Sequence, residues 1–384
     1  MIDLSSTVYV TLAVTVTLLG LCIVVVIYPY VVYPALLRLI RPVEVVRSGP
    51  RPQPVSLLFS AFNEGSALSD KLDNIERLKE RYPDLEVLAY NDGSTDNTLD
   101  RLRSRPDLLA VVDGVGRMGK AHGMKRLASV ATGEILVFSD ANVLLDEETI
   151  DHLREWYRDP SVGGVCGTLH YLNPRDSVTA SVGGAYWRLE ERLKALESRS
   201  GNVMGADGSI FSLRRVLYPE FPDTVLDDLT VSMAAVFAGK RLLKADDVVA
   251  YERLVSARSD EFSRKVRIAA RAFHTHLYLR PQLRTMSPVD RFKYGSRKLV
   301  RWFGGLFLIV ALVLAVVAAF LLSPWAGLAA IVLIGVVVAL ARSIQHGPIA
   351  QITDIVLALL ATFIGVLRAA RGQTVVTWSP AKSR

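Results

Sequence analysis

Four short apolar runs near the start of this chain each end on carboxylate or amide side chains. Asn63-Glu64 follows Val55–Ser60, Asn91-Asp92 follows Glu86–Tyr90, Asp113 follows Leu108–Val112, and Asp140-Ala141-Asn142 follows Ile135–Ser139. Such groups offer oxygen atoms to polar ligands and hard cations. A lone Asp or Asn after a strand is ordinarily a cap or a turn residue, and Ser94 and Asp96 are assigned to that duty. Four coincident sites ask for more, because in open α/β sheets ligands bind beyond the carboxyl ends of the strands. Later in the chain stand the paired acids Asp227-Asp228, where an acidic helix start is the plainer alternative. Lys120 sits behind two glycines, and Arg264 and Arg267 are three residues apart. A guanidinium presents paired N–H donors that suit planar or tetrahedral oxyanions.

These groups need a scaffold. The four runs read as buried strands, each followed by polar residues and then a helical stretch, at 65–81, 94–104, 119–131 and 146–158. The alternation predicts an α/β domain between about residues 52 and 280.

The remainder is apolar. At 384 residues there is room for one catalytic domain and several membrane spans. A 51% apolar fraction beside 22% charge separates into two kinds of segment. Val8–Ile27 has the length of a bilayer-crossing helix, and with only Asp3 ahead of it an uncleaved anchor (residues 1–35) is expected rather than a signal peptide. Phe303–Leu322 and Trp325–Leu340 are two further candidate spans, joined by a Ser323-Pro324 hairpin. Ile349–Leu367 is a weaker third, since it carries Gln351 and Asp354, and would leave Arg368, Arg371, Lys382 and Arg384 of the basic tail (368–384) on the outside. The net charge is +7, and its basic residues cluster beside the apolar runs, at Arg38, Arg41, Arg47 and Arg51 and at Lys293, Arg297, Lys298 and Arg301. That placement predicts a cytoplasmic, anionic-lipid surface, with 281–302 as a basic interfacial helix, and not a nucleic-acid surface. The N-terminus is expected outside and the α/β domain in the cytosol, at the plasma (inner) membrane. Two cysteines, Cys22 and Cys166, make no disulfide framework.

With these residues in view, the chain resembles a known family. SAFNE (60–64), NDGSTDNT (91–98), GRMGKAHGMKRL (116–127) and VFSDAN (137–142) are similar to the nucleotide-sugar-binding half of inverting family 2 glycosyltransferases with the GT-A fold. The likeness continues through YWRLEERLKALES (186–198), GADGSIFSLRR (205–215), LDDLTVSMAAVFAGKRL (226–242) and FSRKVRI (262–268). The flanking spans resemble the membrane-integrated branch that includes cellulose, hyaluronan and poly-N-acetylglucosamine synthases.

The resemblance implies a GT-A fold, a mixed Rossmann-like sheet, and a set of roles. Asp140 and Asn142 stand where the family has its DxD metal motif, with Asn in place of the second acid, so the expected cofactor is Mg²⁺ or Mn²⁺. Asn63, Glu64, Asp92, Lys120, Asp140, Arg264 and Arg267 would hold a UDP- or GDP-sugar. Leu226-Asp227-Asp228 matches the motif of the catalytic base, with Asp228 as the base and Asp227 as the alternative. Residues 205–211 would line the site of a saccharide or lipid-linked acceptor. Lys125 and Arg126 are read as a solvated helix face, and His122, His274 and His276 show no ligand pairing. RKVRI lacks the Gln and Trp of the QxxRW motif found in processive synthases, which weighs against long-chain synthesis. The expected activity is inverting sugar transfer in polysaccharide or glycolipid synthesis. Its alternatives are single addition to a polyprenyl phosphate or glycolipid, and an inert membrane subunit that binds nucleotide or polymer for export. The acids at 64, 92, 140 and 228 speak against inertness. A small-solute transporter would want charge clusters inside its spans.

Overall fold

The computed structural model describes residues 4–51, 54–172, 178–253, 258–344 and 347–373. Helices α1 (Leu4–Ile27) and α2 (Val32–Leu39) lead into β1 (Val55–Ala61), α3 (Leu68–Arg81), β2 (Glu86–Asn91), α4 (Thr98–Arg103), β3 (Ala110–Asp113), α5 (Lys120–Val130) and β4 (Ile135–Asp140). Then follow β5 (Leu144–Leu145), α6 (Thr149–Trp156), β6 (Val162–Tyr171), α7 (Val178–Arg199), β7 (Ile210–Arg214), α8 (Asp227–Phe237) and β8 (Arg241–Glu252). The chain ends with α9 (Arg258–Leu283), α10 (Pro288–Tyr294), a π-turn at Gly295–Leu299, α11 (Val300–Trp302), α12 (Gly304–Leu322), α13 (Pro324–Ser343) and α14 (Gly347–Ala370). The last residues of the expected basic tail, 374–384, lie outside the described residues.

The eight strands among the described residues form one mixed sheet in the order β3-β2-β1-β4-β7-β6-β8-β5. The first four are parallel, and their near-continuous apolar runs reflect burial on both faces. Leu57 and Phe59 join the core under α3 and α6, while Leu58 between them joins the core under α5 and α8, the period-two alternation of a strand. From β1 the chain steps to β2 and β3 on one side and then to β4 on the other. A crevice therefore opens at the carboxyl ends of β1 and β4. The register brings Asp140 level with Ser60, Asn91 with Ala61 and Asp113 with Asn91, so the sequence-predicted groups do share one edge.

Three of the cations expected to face lipid, Lys293, Arg297 and Arg301, are turned inward instead, while Arg38, Arg41, Arg47 and Arg51 are exposed. Lys293, Arg297 and Arg301 recur at four-residue spacing, which would place them on one helix face, and Glu190 and Glu197 of α7 meet that face. Arg297 donates to Glu197 at 2.5 Å and to Glu190 at 3.1 Å, and Arg301 pairs with Glu190. Lys293 is fully buried and donates to the carbonyls of Glu197, Ser200 and Asn202. Tyr33 of α2 donates its hydroxyl to Glu197 at 2.6 Å. Burial alone would raise the pKa of Glu190, but Arg301 and Arg297 outweigh it and hold the carboxyl well below the usual range. An amphipathic pattern read as an interfacial helix is thus an internal face whose partner lies about a hundred residues away.

Three helices are long and apolar enough to cross a membrane among the described residues: Thr7–Ile27, Gly304–Leu322 and Gly347–Ala370. Pro324–Leu340 is a shorter apolar stretch, and Ser323 caps its helix by accepting from the Ala326 N–H, with Pro324 in the first turn. The third run, weakened in the sequence by Asp354, forms a continuous helix in which that side chain is buried. Its Gly365 packs so closely on α9 that an added Cβ would lie 2.5 Å from the Val266 carbonyl. Trp302 and Val366 belong to the same core cluster as Phe211 and Leu229, so the apolar C-terminal region closes the hydrophobic core of the α/β domain.

Glu197→Ala would leave Arg297 without one of its two carboxylates in a buried setting, at a cost of about 3–5 kcal/mol. A clear fall in thermal midpoint is expected for the detergent-solubilised chain, with partial recovery in Glu197→Ala/Arg297→Met. An unchanged midpoint in the single variant would show that the pair does not hold the fold together.

Candidate active site

The crevice is built from loops stitched to one another. After β1, Asn63 adopts φ 53°, the left-handed region that Asn tolerates better than most residues. Its side-chain oxygen accepts from the Thr95 N–H at 2.8 Å, and its own N–H donates to Ser94 Oγ. The N–H of Glu64 donates to Thr98 Oγ1, and that of Gly65 to the Asp96 carboxylate. Ser94 and Asp96 therefore do the bracing work expected of them. Glu64 is buried at the base of the crevice. Asp92, also buried, accepts from the backbone N–H groups of Met118 and Gly119 at 2.8 to 3.0 Å and ties the end of β2 to the loop before α5. Gly119 has φ 94°, which admits the tight entry into that helix.

The turn into α5 delivers Lys120 to the centre of the site. Its ammonium donates to Asp140 Oδ1 at 2.5 Å. Burial works against this charge, yet Asp140, Asp227 and Asp228 together hold the ammonium above its ordinary range. Asp227 and Asp228 open α8, and Asp228 Oδ1 accepts from the Leu229 N–H at 2.6 Å. Burial first, and the charge of Asp227 second, push the Asp228 carboxyl up to about 6 against the pull of Lys120. The loop before β7 passes directly over these groups. A Cβ on Gly208 would stand 2.9 Å from Lys120 Nζ and 3.4 Å from Asp228 Oδ2, so any side chain there would intrude on both. Asp140, Lys120 and Asp228 thus converge at one point beneath Gly208.

Asn142 lies beside this cluster. Its amide Nδ2 donates to Glu252 Oε1 at 3.1 Å, and Ser209 Oγ donates to the other Glu252 oxygen at 3.3 Å. A carboxylate accepts only, so the amide nitrogen is fixed toward Glu252 and Asn142 Oδ1 is turned away from it. Arg264 pairs with Glu261 at 2.9 Å, and the charges of Glu261, Tyr171 and Glu252 outweigh burial and hold it above its ordinary range. Arg267 stands about one turn further along α9, half-buried. Lys125 departs from the solvated role expected of it: it pairs with Asp223 at 2.5 Å and donates to the Phe221 carbonyl. His122 bonds the same Asp223 through Nδ1.

Three supporting residues escaped the sequence reading. Lys71 is fully buried, donating to the Val143 carbonyl at 2.6 Å and to Ser139 Oγ; burial pushes it down to about 7, with Asp140 opposing. Asn74 makes a reciprocal pair with the backbone of Leu145. Both brace the turn that carries Asp140 and Asn142. Their signal was present as polar residues on the Leu68, Leu72, Ile75, Leu78 stripe of an amphipathic helix. Glu252 carried no local signal, because its partner is 110 residues away in the chain.

Residues 56–221 match the model of Glycosyl transferase family 2. They form a family 2 glycosyltransferase domain. The domain and its surroundings are 26% identical over 201 residues to the poly-beta-1,6-N-acetyl-D-glucosamine synthase of Staphylococcus aureus, covering 49% of this chain and 47% of that protein. The counterpart from Staphylococcus epidermidis is 27% identical over 192 residues, covering 46% and 44%. The chain spans about half the length of these curated relatives. Among solved structures, the mannosyltransferase PcManGT from Pyrobaculum calidifontis, in complex with GDP-Man and Mn²⁺, superposes with a TM-score of 0.72 at 24% identity, covering 91% of this chain and 98% of that one. The glycosyltransferase domain accordingly has the GT-A fold expected from its sequence.

The Asp228 carboxyl should titrate near pH 6 in the free protein. Asp227→Asn removes a neighbouring negative charge and should lower that value, whereas Lys120→Met removes the opposing cation and should raise it. Carboxyl-region difference infrared spectroscopy across the pH range reads both shifts; a titration that neither variant moves would separate Asp228 from this cluster.

Proposed function

We propose that this chain is an inverting glycosyltransferase that moves a sugar from a UDP- or GDP-sugar to a saccharide or lipid-linked acceptor at the cytosolic face of the membrane, in polysaccharide or glycolipid synthesis. The observation that carries this reading is the convergence of Asp140, Lys120 and Asp228 beneath Gly208, at the crevice of a family 2 domain. That PcManGT was solved with GDP-Man and Mn²⁺ supports the donor class and the metal.

The donor set suits a hard divalent ion: the Asp140 carboxylate, the Asn142 Oδ1 turned away from Glu252, and the Glu252 charge behind it. A bound Mg²⁺ or Mn²⁺ would neutralise the charge that grows on the departing nucleoside diphosphate. Lys120, with Arg264 and Arg267, draws the diphosphate to the same edge. Asn63, Glu64 and Asp92 shape the wall for the nucleoside. Asp228 takes the proton from the acceptor hydroxyl as it attacks the anomeric carbon on the face opposite the diphosphate. A carboxyl that ionises near pH 6 is largely a base at neutral pH while retaining proton affinity. The missing Trp of RKVRI favours single or short additions over a processive chain.

Asp228→Asn should lower transfer by about two to four orders of magnitude and leave donor affinity nearly unchanged. Asp140→Asn should lose both, and chelation should abolish wild-type turnover until Mg²⁺ or Mn²⁺ is returned. Nucleoside diphosphate release and donor calorimetry separate the two effects, and normal transfer by Asp228→Asn would remove the base from this residue. The wild-type rate should fall below about pH 6, as Asp228 takes up a proton, and that acid limb should vanish in Asp228→Asn.

Orientation has its own test. A cysteine placed in α3 should resist impermeant maleimide in intact cells and react after permeabilisation. Labelling from outside would invert the topology and cut the site off from cytosolic sugar nucleotides.

A further inference from the structure

The segment before α12 carries more positive charge than its partners neutralise. Lys293 is committed to three carbonyls. Arg297, Lys298 and Arg301 then stand against Glu190 and Glu197. Arg297 is paired with both acids. Arg301 reaches Glu190 through Nη1 alone, and its Nε and Nη2 groups are buried without a hydrogen-bond partner. Lys298 has no hydrogen-bond or ion-pair partner among the described residues. Burial and the Arg297 charge push its ammonium down to about 8, against the pull of Glu190, Glu197 and Asp228. Cations withdrawn from water are ordinarily paired, so the two buried N–H groups of Arg301 and the half-buried ammonium of Lys298 call for an anion that the described residues do not supply.

Position says which kind of anion. Lys298 lies in the π-turn Gly295–Leu299, a helix irregularity frequent at functional sites. Its Nζ would stand 3.8 Å from a Cβ on Gly205, where the loop that covers Asp228 begins. Arg301 follows three residues later, on the same side of a helix, with Tyr30 and Tyr186 against its guanidinium at 5.0 and 5.9 Å from the ring centroids. Three residues beyond, α12 opens into a run apolar enough to cross a bilayer. The unsatisfied donors therefore lie between the base and the apolar region, flanked by rings with one apolar face and one polar tip, the arrangement that suits a headgroup at the end of a hydrocarbon chain.

We propose that Lys298 and the free N–H edge of Arg301 bind the phosphate of a lipid-anchored acceptor, whose hydroxyl is thereby presented to Asp228. This deepens the transferase reading above and rests on it. The acceptor is accordingly a phosphate-bearing lipid and not a neutral glycolipid or a free oligosaccharide.

The test uses the full chain in detergent, with its diphosphate site filled by saturating GDP or UDP and Mn²⁺. Farnesyl phosphate is the probe, with farnesol and inorganic phosphate as controls. Calorimetry should show farnesyl phosphate binding more tightly than either control, and Lys298→Met should weaken it by roughly ten- to a hundredfold, the loss of one charge-assisted hydrogen bond. Lys298→Arg should retain most of the affinity, and farnesol should not distinguish the variants. A second measurement needs no variant: farnesyl phosphate should protect Lys298 of the wild-type chain from acetylation by acetic anhydride, read by mass spectrometry. Equal affinity in Lys298→Met, or no protection of Lys298, overturns the proposal. Protection by inorganic phosphate at the same concentration as farnesyl phosphate overturns the lipid assignment. Nucleoside diphosphate affinity, measured in the same samples, should be untouched by Lys298→Met and reports separately on the transferase reading.

Discussion

Glu197 accepts hydrogen bonds from three stretches of chain that are remote from one another. Tyr33 reaches it from the N-terminal helices, Arg297 from the segment before the last apolar helices, and the Met204 N–H from the start of the loop over the catalytic crevice. The carboxylate is fully buried, so each donor is needed to offset the loss of water. The same α7 residue thus fixes where the membrane-proximal segments stand and where the loop through Gly205 and Gly208 begins. The Ala206 N–H then bonds Ser232 of α8, whose first turn carries Asp227 and Asp228. The height of Gly208 above Lys120 and Asp228 follows from this chain of contacts, and with it the room left above those two side chains.

Within the site the decisive quantity is local charge. Lys120 sits among Asp140, Asp227 and Asp228 and keeps their mutual repulsion in check before any ligand arrives. That balance explains how Asp228 can be half-buried beside another acid and still ionise near pH 6. Asn142, two residues after Asp140, is oriented from another strand by Glu252, which accepts from its amide nitrogen.

What was legible in the sequence was whatever depends on neighbours in the chain. Strands buried on both faces produce continuous apolar runs, so β1, β2, β3 and β4 were found with their ends nearly in place, and the acids beyond them fell on one edge. The resemblance supplied the order of the later motifs, and residues 56–221 match the family. Illegible features depend on a partner far away. Lys293, Arg297 and Arg301 had the spacing of a lipid-facing surface, and only Glu190 and Glu197 across the gap make them internal. Asp354 lowered the apolar character of the last helix, because a sequence window does not show that one carboxylate can be tucked inside. Lys71 and Asn74 broke the apolar stripe of α3 for the sake of a turn some seventy residues ahead.

Trp302 and Val366 complete the core that Phe211 and Leu229 begin, and Tyr33 completes the hydrogen bonds of Glu197. Among the described residues, the core of the α/β domain therefore continues into the segments on either side of it. Trimming the chain to its water-soluble part would strip the plug from an apolar cavity and remove the partners of two interior carboxylates at once. The apolar helices are thus a structural component of the domain's interior, and recombinant production calls for the whole polypeptide in an amphiphile.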